Sequence, residues 1–280
     1  MSEWFLEKNF DNGWTQTFSG NKIYDKQSPY QNIKIIETKL FGRVLLLDDV
    51  IQCTEVDESY YHEMMAHVCL FAHDSPKNIL VIGGGDGGII KEVLRHNDVE
   101  RITLVEIDEK VIEVSKELLP SISDGSFNNP KLNLVIGDGI DWVKTCSEKY
   151  DIIIVDRSDH IGPSMGLYEI DFYRNCKAIL NEKGIFVAQS GNWPINKHML
   201  VDQLFKMPSA FKKSSCYIST ISSFVGGFTC FIWAADWNIN LPVEIISEKI
   251  QNKNIKNLKY YNKNTHIAAF ALPNCIQDLL

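Results

Sequence analysis

Apolar and polar positions change period three times along the chain, and each change marks a different kind of structure. Up to about Val56 the pattern alternates. Ile33–Thr38 and Arg43–Asp48 read as strands joined by a turn at Phe41-Gly42, and Asp48–Gln52 reads as a turn into a further strand. This predicts a small antiparallel β domain over residues 1–56. From Glu58 to Phe71 the period lengthens, with Tyr61, Met64, Met65, Val68 and Leu70 spaced for an amphipathic helix. Beyond Pro76 short apolar runs alternate with helical stretches. Candidate strands are Ile79–Ile82, Arg101–Glu106, Leu132–Ile136, Asp151–Val155 and Gly184–Gln189; Gly88–Arg95 and Glu109–Leu118 are candidate helices. Nearly continuous apolar strands alternating with helices predict an α/β, doubly wound parallel sheet over residues 57–280. Tyr217–Ser223 and Thr229–Ala234 add two β-rich segments to that domain, and the polar Gln251–Lys263 predicts a surface loop or helix.

Composition narrows the function. Hydrophobic residues are 45% of 280, enough for a sizeable core, and charged residues are 23%. The net charge of -8 lacks the basic footprint of a nucleic-acid binder; it is compatible with a cationic small substrate but is also ordinary for a soluble cytoplasmic protein, the plainer reading. The seven cysteines include no CxxC pair and are odd in number, which predicts neither a zinc site nor a disulfide framework and fits a reducing compartment, the cytoplasm. The N-terminal residues lack a signal-peptide pattern, and apolar runs such as Asn78–Gly83 are too short to span a membrane.

The sharpest local signal is Gly83-Gly84-Gly85-Asp86-Gly87-Gly88, which follows a strand and opens a helix. Gly83, Gly85 and Gly88 fit a dinucleotide fingerprint, with Glu106 roughly 20 residues on as the ribose-binding acid. A dehydrogenase is therefore one reading. Asp86 argues against it, because a carboxylate inside the loop repels a pyrophosphate but stabilises a cofactor with a positive centre, such as a sulfonium nucleoside. The plainer alternative is that Asp86 only caps the helix. Acids recur after successive strands: Asp86, Glu106, Asp138 in Gly137-Asp138-Gly139, and Asp156 with Asp159. Ligands bind outside the carboxyl ends of the strands in such sheets, so these acids predict a negatively lined cleft for a cationic cofactor and an amine.

Taken in order, Leu47–Glu55, Tyr61-His62-Glu63-Met64, Gly83–Gly88, Val105–Asp108, Gly137–Gly139, Asp156–Asp159 with Gly162-Pro163, and Tyr260 through Phe270 resemble the spermidine synthase family of aminopropyltransferases. The resemblance spans almost the whole chain. It implies a methyltransferase-like catalytic domain, a homodimer or homotetramer, and transfer of an aminopropyl group from decarboxylated S-adenosylmethionine to putrescine, giving spermidine and methylthioadenosine. It also implies that Gln31, Glu106, Asp138, Gly139 and Pro163 contact the nucleoside. His62, Asp86, Asp156 and Asp159 would contact the aminopropyl chain and the amine, and Tyr61 would line the amine pocket. Asp156 would take or relay the acceptor's proton. The leaving thioether is neutral, so neither a metal nor an acid is expected, and the donor is a co-substrate rather than a bound cofactor.

Three departures fall near the acceptor. Arg157 stands where the family has a small hydroxyl residue, and His160 where it has proline. Phe224 replaces a tyrosine and is followed by Val225-Gly226-Gly227 instead of Pro-Ser-Gly, losing a hydrogen bond worth roughly 0.5–1.5 kcal/mol. Arg157 is expected to face solvent or pair with an acid such as Glu63 or Asp171; otherwise it signals a different acceptor, such as a longer, guanidino or carboxylated amine. Ser158–Gly166 is a candidate gate. Two further readings share the nucleoside elements: an S-adenosylmethionine-dependent N-methyltransferase, and a binding protein without catalysis.

Overall fold

The computed structural model describes residues 3–7, 13–158 and 162–280. An antiparallel sheet comes first, with strands β1 (Glu3–Leu6), β2 (Thr17–Gln27), β3 (Asn32–Thr38), β4 (Gly42–Leu47) and β5 (Val50–Thr54) paired in that order. Helix α1 (Glu58–Ala72) leads into β6 (Asn78–Gly83), α2 (Gly88–Leu94), β7 (Arg101–Glu106), α3 (Glu109–Leu118) and the single turn α4 (Pro120–Ser123). Then follow β8 (Leu132–Ile136), α5 (Gly139–Thr145), β9 (Tyr150–Asp156), a 3-10 stretch Gly162–Tyr168, α6 (Ile170–Ile179), β10 (Leu180–Asn192) and α7 (Lys197–Lys206). The chain closes with β11 (Lys213–Thr220), β12 (Phe228–Ala235), α8 (Val243–Lys253), α9 (Lys263–Ala269) and α10 (Asn274–Gln277).

The second sheet runs β11-β12-β10-β9-β6-β7-β8. Its last five strands are parallel, while β12 runs antiparallel to both of its neighbours. From β6 the chain winds outward through β7 and β8, then returns to add β9 on the other side. The switch therefore lies between β6 and β9, and a crevice opens there at the strands' carboxyl ends. Side chains alternate across the pleat. Ile79, Val81, Ile102, Leu104, Ile152 and Ile154 pack with α1 and α2 on one face. Leu80, Ile82, Val105, Ile153 and Val155 pack on the other with residues of α5 and α6. Burial on both faces explains why these strands read as unbroken apolar runs. A third cluster packs the first sheet against α3 and α4, with Ile33, Ile35, Leu45 and Cys53 against Val111, Val114, Leu119 and Ile122.

The expected strands and helices are present, with three differences. Strands β1 and β2 carry exposed and intermediate positions along most of their length, so their alternation was too weak to single out. The segment expected as β to Ser223 ends at Thr220 and turns, with Ile221 N–H donating to Gly227 O. Helix α1 is not amphipathic: it is buried nearly all round, and Glu58, His62, Glu63 and His67 are inside with the apolar residues. Those polar groups are tolerated because each has partners. Glu63, 1% exposed, accepts the backbone N–H groups of Lys259, Tyr260 and Tyr261 at 2.8, 2.9 and 2.7 Å, pinning the C-terminal segment to the core. Among the described residues no helix is long and apolar enough to cross a membrane.

Glu63→Ala leaves three amides without their acceptor. It is expected to cost on the order of 3 kcal/mol in chemical denaturation and to speed amide exchange at residues 259–261 ahead of the sheet; unchanged protection there would contradict the pinning role.

Candidate active site

The glycine loop decides which atoms meet. Gly83 and Gly84 both have φ of +76°, and Gly83 pairs in register with Asp156 of β9. A Cβ on Gly83 would lie 1.9 Å from the carbonyl oxygen of Asp156, and one on Gly84 3.1 Å from its carboxylate. Only glycine allows this approach. A Cβ on Gly88 would lie 2.2 Å from the ring of His62, so the start of α2 is also pressed against α1. The result is a cavity whose walls include Asp86, Glu106, Asp138, Gly139 and Asp156 from the second sheet, and Glu7, Gln31 and Gln52 from the first domain.

At its centre is a cluster of charges. Asp86 Oδ1 accepts the N–H of Gly88 at 2.7 Å, and Oδ2 lies 3.4 Å from His62 Nε2. Asp86 thus accepts the first N–H of α2 on one oxygen and faces His62 with the other. His62 Nδ1 is 2.8 Å from Glu58 Oε2, and Glu58 Oε1 is 2.8 Å from Lys91 Nζ. Burial pushes the His62 pKa down, but Asp86 and Glu58 outweigh it and hold the ring up at about 10. Burial likewise disfavours the charge on Asp86, yet His62 and the Gly88 amide keep that carboxyl below its ordinary range. Asp156 has no such cation. Burial, then the neighbouring Asp86, push it up to about 6, opposed by His62 and by Tyr61, whose hydroxyl donates to Asp156 Oδ1 at 2.6 Å. Its Oδ2 is left facing the cavity wall beside Gly84.

Glu106 lies at the mouth of β7. Burial drives its pKa up to about 7 against the N–H of Asp108, which donates to Oε1 at 2.9 Å. Asp108 in turn caps α3 and accepts from Ser28 and Gln31, at 2.6 and 3.1 Å, so Gln31 is held over the Glu106 end by the N-terminal domain. Asp138 caps α5 through Ile140 N–H at 2.7 Å. A Cβ on Gly139 would lie 2.3 Å from Ile82, which explains the glycine.

The cavity thus brings together Gln31, Tyr61, Asp86, Glu106, Asp138, Gly139 and Asp156. His62 is 1% exposed and sits behind Asp86, with both ring nitrogens engaged, instead of on the wall. Asp159, His160 and the side chain of Pro163 lie outside the described residues, so the gate expected over Ser158–Gly166 is described only in part. The expectation for Arg157 is corrected. Its side chain is 5% exposed, so it does not face solvent. Glu63 is occupied by amides, and Asp171 pairs with Arg174 at 3.2 Å. Arg157 instead stacks on Tyr168 and donates to neutral oxygens. Phe224 packs edge-on against Tyr61, with ring centroids 5.8 Å apart.

Sequence reasoning missed Glu58, which belongs to no ligand motif, and Glu7. Glu7 is 3% exposed and accepts from Ile51 N–H and Gln16 Nε2 at 3.1 and 2.7 Å; it reaches the cavity only because the two domains pack together. The pattern also bears on cofactor type. The Gly88 amide that a pyrophosphate would use is taken by Asp86, and that carboxylate occupies the approach, so the loop suits a cation and not a dinucleotide. Ligand atoms of His62, Asp86 and Asp156 lie within 4.8 Å of one another, and both ring nitrogens of His62 already face carboxylates, Glu58 and Asp86.

Comparison with known proteins agrees with this geometry. The profile of the spermine/spermidine synthase domain matches residues 58–241, and that of the spermidine synthase tetramerisation domain matches residues 3–55. The polyamine aminopropyltransferase of Enterobacter sp. (strain 638) is 42% identical over 262 residues, covering 93% of this chain and 90% of its own. That of Escherichia coli O81 (strain ED1a) is 42% identical, covering 93% and 91%. A crystal structure of spermidine synthase in complex with the transition-state analogue AdoDATO superposes with a TM-score of 0.93 at 34% identity, covering 99% of this chain and 94% of that one. Spermidine synthase from Thermotoga maritima gives 0.92 with the same identity and coverage.

The raised pKa of Asp156 has a sign. The folded state binds the proton more tightly than the unfolded chain, so the ionised group detracts from stability, and the deficit grows as pH rises from about 4 through about 6. Asp156→Asn is expected to raise the melting temperature at pH 8 by on the order of 2 °C. The gain should vanish below pH 4; a lower melting temperature at pH 8 would contradict the buried-charge account.

Proposed function

The chain belongs to the spermine/spermidine synthase family of polyamine aminopropyltransferases, and we propose that it transfers the aminopropyl group of decarboxylated S-adenosylmethionine to putrescine, forming spermidine and methylthioadenosine. The observation that carries this is the Asp86–Asp156 pair at the switch point, both lining the cavity, with Tyr61 bound to one oxygen of Asp156 and the other beside Gly84. We take Gln31, Glu106, Asp138, Gly139 and Pro163 as the nucleoside contacts, and Tyr61, Asp86, Asp156 and Asp159 as those of the aminopropyl chain and the amine. His62 acts on that pocket through Asp86.

The chemistry follows from charge. The sulfonium donor and the diamine are both cations, and ionised Asp86 and Asp156 offset their repulsion. An alkylammonium is not a nucleophile and must lose a proton. A carboxylate whose pKa is raised to about 6 lies closer to an amine's value, about 10, than an ordinary one does, which eases that transfer. The freed nitrogen attacks the propyl carbon next to sulfur. A C–N bond forms, the C–S bond breaks, and its electron pair stays on sulfur as a neutral thioether. The new secondary amine carries the positive charge that sulfur gave up. Tyr61 fixes the carboxylate's orientation in this scheme, and Phe224 supplies an apolar face where relatives offer a hydroxyl. We divide the chain at residues 56 and 57, and read the N-terminal sheet, which resembles a tetramerisation domain, as the contact of a homodimer or homotetramer.

Mass spectrometry after incubation with decarboxylated S-adenosylmethionine and a panel of amines tests the reaction; spermidine from putrescine is the expected product, and a clear preference for another amine would revise the acceptor. Asp156→Ala is expected to lower kcat by about 10²- to 10⁴-fold with the melting temperature maintained. Calorimetry should find tighter binding of the decarboxylated donor than of intact S-adenosylmethionine, since Asp86 and Asp156 repel a carboxylate; the reverse order favours an N-methyltransferase. Because Glu106 has a pKa of about 7, donor affinity should fall as pH drops below that value, with proton release on binding at pH 6.5.

A further inference from the structure

We propose that Arg157 is a positioning residue that ties the donor wall of the cavity to its acceptor wall, beside Asp156. The inference rests on the aminopropyl-transfer reading and concerns how the two substrates are held in line.

Arg157 directly follows Asp156, the last residue of β9, and both border the cavity. The Arg157 side chain is 5% exposed, with its guanidinium engaged by the groups packed around it. Its guanidinium carbon lies 3.5 Å from the centroid of the Tyr168 ring. One terminal nitrogen donates to Leu167 O; the other donates to the side-chain oxygen of Gln203 and, at 3.4 Å, to Gln189 O. Among the described residues it has no carboxylate partner. A buried cation costs free energy unless its donors are satisfied, and Nε has no hydrogen-bond partner among the described residues, so its placement depends on the oxygens bound by its two terminal nitrogens and on this ring.

The oxygens belong to different walls. Leu167 lies at the nucleoside end, because Gly166 beside it approaches Ile140 of α5 so closely that a Cβ would lie 2.3 Å from that side chain. Gln189 belongs to β10 and pairs with Phe231, whose ring packs 5.4 Å from that of Tyr61, at the amine end. Both Leu167 and Gln189 line the cavity. Gln203 extends the brace into α7, and its oxygen also accepts from Ser190 at 3.2 Å. Tyr168 returns its hydroxyl to Ser158 O at 3.1 Å and so holds the residue after Arg157. One planar, forked cation thus sets the separation of the two walls, and with it the distance between the donor's reactive carbon and the acceptor nitrogen. Lysine has neither the fork nor the flat face needed for this.

The test uses a joined ligand, adenosine linked through a thioether to a diamine arm, beside its separate halves methylthioadenosine and putrescine. Calorimetry is run on wild type, Arg157→Ala and Arg157→Lys, with kcat measured on the same preparations. Both variants are expected to lose about 10- to 100-fold in kcat and in affinity for the joined ligand, while each half binds within about 3-fold of wild type. Guanidinium added at millimolar levels should restore part of the loss in Arg157→Ala but not in Arg157→Lys. Unchanged affinity for the joined ligand in a folded variant, or a loss confined to one half, overturns the proposal. If neither variant folds, Gln203→Met removes one anchor and keeps Arg157; it should give the same split with a smaller loss, and no loss there overturns the proposal equally. Wild type that binds neither half overturns the functional reading and this inference with it, whereas failure in the variants alone leaves that reading standing.

Discussion

The protonated ring of His62 beside Asp86 is the interaction on which the site depends. Asp86 and Asp156 end neighbouring elements around a switch point, and the glycine loop forces them together. Two carboxylates at that range repel each other and would share a proton, leaving one of them neutral. His62 removes that conflict on one side only. Asp86 stays charged, while Asp156, without a cation of its own, keeps a raised proton affinity. In the reaction we propose, these unequal environments make Asp86 the binding carboxylate and Asp156 the proton acceptor. The arrangement extends inward: Glu58 holds the far side of the ring and Lys91 holds Glu58, so the site rests on a buried chain of alternating charges between α1 and α2.

That chain explains why α1 carries so many polar residues inside. A helix packed only by its apolar side would leave His62 with nothing to fix its protonation. Here Glu58 and His62 are one turn apart on the helix, and Glu63 faces the C-terminal segment instead. The N-terminal sheet does similar work at the other end of the cavity, where Asp108 and Gln31 join across the domain boundary and Glu7 reaches in from the first strand's end. The cavity is therefore a property of the two domains together.

Much of the fold was legible in the chain. Strands such as Ile79–Ile82 and Ile152–Val155 are continuous apolar runs because both faces are covered, and glycine, proline and acidic residues punctuate them. Weakly patterned elements were not legible: β1 and β2 are largely exposed, and α1 lacks a polar face, so periodicity misjudged its surroundings. The acids at the strand ends were found for a sound reason, since connectivity alone carries the ends of consecutive parallel strands to one edge of the sheet.

The sequence by itself determined the glycine loop and the acids that follow the strands, because loop glycines, strand ends and helix starts are local features whose spacing sets their geometry. It also determined that the cavity is acidic. What each acid does was decided only by tertiary structure, since pKa depends on neighbours distant in the chain: His62 lies 24 residues before Asp86, and Tyr61 is 95 residues from Asp156. The same holds for Arg157. Read beside Asp156 it looked like a surface cation or a pocket charge. Only the folding of Tyr168, Gln189 and Gln203 around it shows a buried guanidinium held by neutral oxygens, because side-chain burial is set by packing between elements and not by position in a motif.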